Sequence, residues 1–143
     1  MLFRLLKRDK IASVWFGGIA LFMILFEVAA FTVNMVYPPC PSGRRFEMPR
    51  PFNPNGGASY YTSLPGLEQI SDESENFERS TVMVCEGNLK LGPAHAGHVA
   101  ISELGRGRFS HWGGNIVFSA SDNSDPNTNG RGYLAILPDK KVN

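Results

Sequence analysis

The stretch from Ile11 to Tyr37, IASVWFGGIALFMILFEVAAFTVNMVY, constrains this chain more than any other. Glu27 is its one ionisable residue. A helix rises about 1.5 Å per residue, so roughly 20 apolar residues cross the hydrocarbon core of a bilayer. The run exceeds that length and predicts a single transmembrane α-helix over 11–37, with room for tilt. A cleaved signal peptide is the competing reading. Its apolar region is usually about 7–15 residues and ends at a small-residue site, and Glu27 and Phe31 fit poorly around Ala29 and Ala30. Arg4, Lys7, Arg8 and Lys10 outnumber Asp9 in the basic segment 1–10. That bias places the N-terminus in the cytoplasm and the C-terminal part on the other side.

One side of the expected helix carries Ser13, Gly17, Ala20, Ile24, Glu27, Phe31 and Asn34 at alternating spacings of four and three, which sets them along one seam. Small residues let another helix approach, and polar ones bond across the contact. The seam therefore reads as a partner-helix face, with lipid against Phe16, Leu21, Phe22 and Phe26. Glu27 has three readings: contact with a partner helix, which is favoured, snorkelling toward the outer headgroups, and proton transfer. Trp15 and Tyr37 stand near opposite ends, where aromatic belts form.

Residues 38–79 hold seven of the chain's ten prolines. Proline removes an amide donor and disfavours helix in the residue before it, so this segment predicts an extended arm. Phe46, Phe52, Tyr60 and Tyr61 distinguish it from a plain spacer and fit an arm that orders against a neighbouring subunit. Ser71–Glu78 is acidic and polar.

Residues 80–143 read as a small mainly-β extracytoplasmic domain. Thr81–Cys85 is β-branched and apolar, Glu86-Gly87-Asn88 is a turn, and Leu89–Leu91 returns. His98–Leu104 fits a strand or a short helix. Arg108–Trp112 and Asn115–Ala120 flank Gly113-Gly114, the signature of a tight hairpin whose central residues need positive φ. A polar loop, Ser121–Gly130, precedes a last strand over Gly132–Leu137. Cys40 and Cys85 both fall on the expected outer side, where either a disulfide or two separate thiols is open.

The run from Leu91 to Tyr133 resembles a short bacterial module. Its words are GPAH, then RFSHWG, then FSASDNSDPxTNGR, and it stands beside methyltransferase and glycosyltransferase-like domains connected with surface glycans. The resemblance implies a bacterial protein with a compact β unit. It does not imply that this chain is an enzyme, since neither accompanying domain is present. With the charge bias it places the chain in the bacterial inner membrane, its C-terminal domain periplasmic.

Asp125-Pro126-Asn127-Thr128-Asn129-Gly130 matches the opening of a calcium loop, but Ile136 stands where the bidentate Glu belongs. An Asx-turn loop is the favoured alternative. His95, His98 and His111 form no convincing zinc set, and structural roles are favoured. Ser110, His111 and Asp122 are the residue types of a hydrolase triad, yet adjacent strand residues point to opposite faces. Phe109, Trp112 and Tyr133 with Asp122, Asn123, Asp125, Asn127 and Asn129 offer a sugar surface, against the favoured reading that the aromatics fill a core. No metal or cofactor is expected.

A net charge of +1 supplies no field for nucleic acid. The leading expectation is a non-enzymatic accessory subunit of a larger integral-membrane complex, photosynthetic or respiratory by analogy. Its partners are other membrane proteins and the lipid bilayer, and its arm and β module cover the outer surface. The alternative is a membrane-tethered carbohydrate-binding module.

Overall fold

A computed structural model of the chain describes residues 18–27 and 38–139. It corrects the first expectation. Among the described residues no helix is long and apolar enough to cross a membrane. The described residues 18–27 are helical and form α1. The single transmembrane helix and the single-pass membrane reading are therefore not supported. On the expected seam, Ala20, Ile24 and Glu27 lie on α1 and are exposed. Ser13, Gly17, Phe31 and Asn34 lie outside the described residues, as do Trp15 and Tyr37.

A second unit, Pro39–Asn143, is a small mainly-β domain with one short helix. Its boundary differs from the expected one at residue 80. The segment 38–79 supplies β1 (Gly43–Glu47), β2 (Asn53–Pro54) and β3 (Tyr60–Ser63). These join β4 (Met83–Glu86), β5 (Leu89–Lys90), β6 (Phe109–Trp112), β7 (Asn115–Phe118) and β8 (Tyr133–Pro138), with the helix α2 at His98–Glu103. The prolines are compatible with strands because of where they fall. Pro49 and Pro51 lie between β1 and β2, Pro65 follows β3, and Pro54 sits on β2, an edge strand.

The strands form two antiparallel sheets, ordered β1-β8-β4-β5 and β2-β3-β7-β6. Both contribute to one core, with Val84, Tyr133 and Ala135 from the first and Phe109, Ile116 and Phe118 from the second. Phe52, from the supposed arm, lies at its centre. Its ring meets Phe118 at 5.0 Å and Tyr133 at 5.5 Å between centroids, both edge to face. Aromatic pairs in this geometry add stabilisation beyond their buried area.

The hairpin β6–β7 forms in the expected register, Trp112 opposite Asn115. Gly113 and Gly114 take φ of 54° and 77°, the left-handed values this two-residue turn requires. His98–Leu104, open between strand and helix in the sequence, is helical over His98–Glu103.

Cys40 and Cys85 are joined in a disulfide, their Cα atoms 5.9 Å apart. Cys40 N–H also donates to Asn88 C=O at 2.9 Å, so the chain entering the domain is fastened across the β4–β5 turn. The cross-link spans 45 residues, a closure that contributes about 4 kcal/mol in the chain-entropy account.

Candidate functional site

Strand β6 forms one edge of the second sheet, with β7 on its inner side. Its outer side is covered by two separate segments. Phe109 N–H donates to Pro93 C=O at 3.2 Å, and Ala96 N–H donates to Phe109 C=O at 3.0 Å. Two residues further on, Asp72 N–H donates to His111 C=O at 2.8 Å. These anchors lie about 6.8 Å apart along the strand, with Ser110 between them.

Side chains alternate across β6. Phe109 enters the core, 1 % exposed. His111 turns to Ser80, whose Oγ lies 2.8 Å from His111 Nδ1. Ser110 and Trp112, on the other face, border a cavity of about 360 Å³. Asp72, His95, His98 and Phe77 complete its walls. Trp112 and His98 meet edge to face at 6.3 Å, which gives the cavity an aromatic side.

Its polar side is built around Asp72, which is 3 % exposed. The Asp72 carboxylate accepts from Ser80 N–H at 2.9 Å and lies 2.9 Å from His95 Nδ1. An ionised carboxylate only accepts, so Nδ1 carries the proton and a neutral ring leaves the Nε2 lone pair free. His95 takes φ of 54°, a left-handed conformation that costs a non-glycine residue about 1–2 kcal/mol. Its neighbour Ala96 sits at the Phe109 anchor while its ring reaches Asp72 at the His111 anchor, so the pair runs alongside Ser110.

Ser110 is 4 % exposed, and its Oγ has no hydrogen-bond partner among the described residues. A buried hydroxyl left unpaired costs about 1–3 kcal/mol. On the far face of β6, His111 Nε2 is likewise unpartnered. Burial lowers the pKa of His111 from its ordinary value of 6.5, and the Asp72 and Glu68 carboxylates only partly offset that. Ser80 joins the two faces: its Oγ meets His111 while its backbone N–H donates to Asp72.

Of the residues expected on a ligand surface, only Trp112 borders this cavity. Phe109 belongs to the core. The Asn/Asp loop closes on itself and on the domain. Asp125 Oδ1 accepts from Asn127 N–H at 2.8 Å, an Asx turn. Asn127 accepts from Phe52 N–H at 2.8 Å and donates to Phe52 C=O at 3.0 Å. Asn129 donates to the Tyr133 hydroxyl at 2.8 Å, Asn123 accepts from Arg106 N–H, and Asp122 accepts from Arg131 and Ser124. Among the described residues no three His, Cys, Asp or Glu side chains converge as metal ligands. The grouping of Ser110, His111 and Asp122, disfavoured on the sequence, is not assembled. His111 leaves on the opposite face, and Asp122 pairs with Arg131.

Asp72, Phe77 and Ser80 are the site residues that sequence reasoning missed. They lie in or beside the acidic stretch read as part of the arm, and no spacing connects Asp72 to His95 or Ser80 to His111. No protein-family model, curated protein or solved structure matches this chain.

Proposed function

We propose that the Pro39–Asn143 unit is a binding module for a small polyhydroxylated ligand, a saccharide, taken into the cavity between Trp112 and the Asp72–His95 pair. The observation that carries this reading is the unpartnered Ser110 hydroxyl, 4 % exposed, at the wall of a cavity with one aromatic and one polar side. A ligand hydroxyl restores the hydrogen bond that Ser110 lacks. The Trp112 indole packs on the C–H face of a sugar ring, and Asp72 with His95 bonds further hydroxyls. The volume, about 360 Å³, suits one or two sugar units and lies at the small end of ligand pockets.

The Cys40–Cys85 disulfide supports an oxidising, extracytoplasmic setting for this module. The accessory-subunit expectation drew on the helix seam, the aromatic arm and the small size of the module; the reading proposed here develops its alternative, the carbohydrate-binding module.

A glycan array probed with the full chain tests the reading. Binding to a defined saccharide is expected, weakened at least tenfold by Trp112→Ala in a protein whose thermal unfolding is unchanged. An array without a binder, or a binder indifferent to Trp112→Ala, overturns it.

A further inference from the structure

We infer that Ser110, His95 and Asp72 form an ester-hydrolysing centre, acting on an O-acyl group carried by the saccharide of the proposed function, on which the substrate class rests. Three observations converge on it. Asp72 is almost fully buried and holds His95 through Nδ1, which leaves Nε2 as the free basic nitrogen. The backbone of His95 is held at φ 54°, a strained conformation, and its ring is fixed by the Asp72 contact. Ser110 stands between the two anchors that the His95–Asp72 contact spans; the residue lines the same cavity, and its buried Oγ is unbonded among the described residues. A hydroxyl, a base and an orienting carboxylate from three stretches of chain thus line one cavity, the residue types that acyl transfer requires. Hydrogen bonds between such groups commonly tighten only when substrate arrives.

The step balances without any co-reactant except water. Ser110 Oγ adds to the ester carbonyl carbon as its proton passes to His95 Nε2. The bond from that carbon to the sugar oxygen breaks, and the sugar hydroxyl leaves with the proton from His95. Water then adds to the acyl-serine carbon and gives a proton to His95. The Ser110 Oγ–carbon bond breaks, and the proton returns to Oγ. The net change is ester plus water to carboxylic acid plus alcohol. Ser110 and His95 are the catalytic residues, and Asp72 is a positioning residue acting through His95.

The test treats the full chain with an alkyl fluorophosphonate, which phosphonylates activated serines, and measures p-nitrophenyl acetate hydrolysis in parallel. One phosphonyl adduct is expected, located on Ser110 by peptide mass spectrometry, with hydrolysis above the buffer rate. His95→Gln should slow adduct formation at least 100-fold, and Ser110→Ala should abolish both signals. Because a variant that fails to fold would lose them trivially, each is read beside its thermal unfolding curve, and the adduct site on the native chain stands by itself. The role of Asp72 has a spectroscopic readout: a low-field imidazole Nδ1–H proton resonance, assigned to His95, that Asp72→Asn moves upfield. No adduct and no hydrolysis by a chain that binds a saccharide on the array overturns the centre and leaves the binding reading standing. A Ser110 adduct from a chain with an empty array supports the nucleophile and overturns the saccharide as its substrate.

Discussion

Two clusters of buried polar side chains in this domain are built from similar residues and completed differently. One centres on Glu86, 5 % exposed, at the end of β4. The Tyr133 hydroxyl donates to Glu86 Oε1 at 2.6 Å and Arg131 donates to the same oxygen at 3.1 Å, while Ser121 donates to Oε2. Arg131 also bonds Asp122, and Asn129 bonds the Tyr133 oxygen. Both Glu86 oxygens are engaged. The other cluster joins Asp72, His95, Ser80 and His111 around β6, and it leaves Ser110 Oγ and His111 Nε2 without partners among the described residues. A satisfied network fixes a structure, whereas an unsatisfied one keeps free energy in reserve for something that is yet to bind. The closed cluster pins the polar loop to the sheets, and the open one borders the cavity.

The largest expected effect comes from breaking the closed cluster. Glu86→Ala leaves the Tyr133 hydroxyl without its acceptor and Arg131 with only Asp122. A buried hydroxyl left without its acceptor costs about 1–3 kcal/mol, and the Arg131 side chain, 38 % exposed and still paired with Asp122, adds little. Urea unfolding should show that loss as a lowered midpoint with an unchanged slope. A loss below about 1 kcal/mol would show that the network is not what holds the loop, and the contrast between the clusters would fail.

Acid should separate the clusters in order. In the folded chain burial resists the protonation of His111, whereas the unfolded chain accepts that proton near 6.5. Stability is therefore lost as pH falls below about 6.5, by at most about 1.4 kcal/mol per pH unit for one group, until the depressed folded pKa is reached. Asp122 is shifted by Arg131 first and then by Ser124, which hold its carboxyl well below its ordinary 3.8. Its contribution persists above that value and disappears only as pH drops beneath it. Thermal unfolding at pH 7, 5.5 and 3.5 checks the sequence of events, and His111→Gln should flatten the first step while leaving the second. A first step that survives this substitution would place the acid-sensitive group elsewhere.

These contrasts follow distance along the chain. The Gly113-Gly114 hairpin, the Gly87-Asn88 turn and the Tyr133–Pro138 strand are local, and the residues that make them are neighbours in sequence. Strands β1 and β3 pair with β8 and β7, Gly43 opposite Pro138 and Tyr60 opposite Phe118, and nothing local announces such partners among prolines. The run 11–37 is the opposite case: its hydropathy is strong locally, yet among the described residues no helix is long and apolar enough to cross a membrane. The site was least legible. Ser110 and His111 are adjacent and so invite pairing, but the strand sends them apart, and the basic partner of Ser110 comes from a strained loop fifteen residues earlier (His95). The acidic partner, Asp72, comes from a segment whose composition reads as solvated linker.

The smallest expected effect is the most discriminating. Ser110→Ala removes a buried hydroxyl that has no partner, so no hydrogen bond is lost on folding and the cost of desolvating that hydroxyl disappears. The substitution removes one oxygen from a side chain beside an existing cavity, so it opens no new sealed void. Stability should change by less than about 0.5 kcal/mol or rise by up to about 1 kcal/mol. Equilibrium urea unfolding of the native chain and the variant, run together, resolves a change of that size when the slopes agree. A loss above about 1 kcal/mol would mean that Ser110 Oγ holds the folded domain together through an ordered water or a neighbouring group. The open cluster would then be as structural as the closed one, and the reason for assigning a ligand to this cavity would be gone.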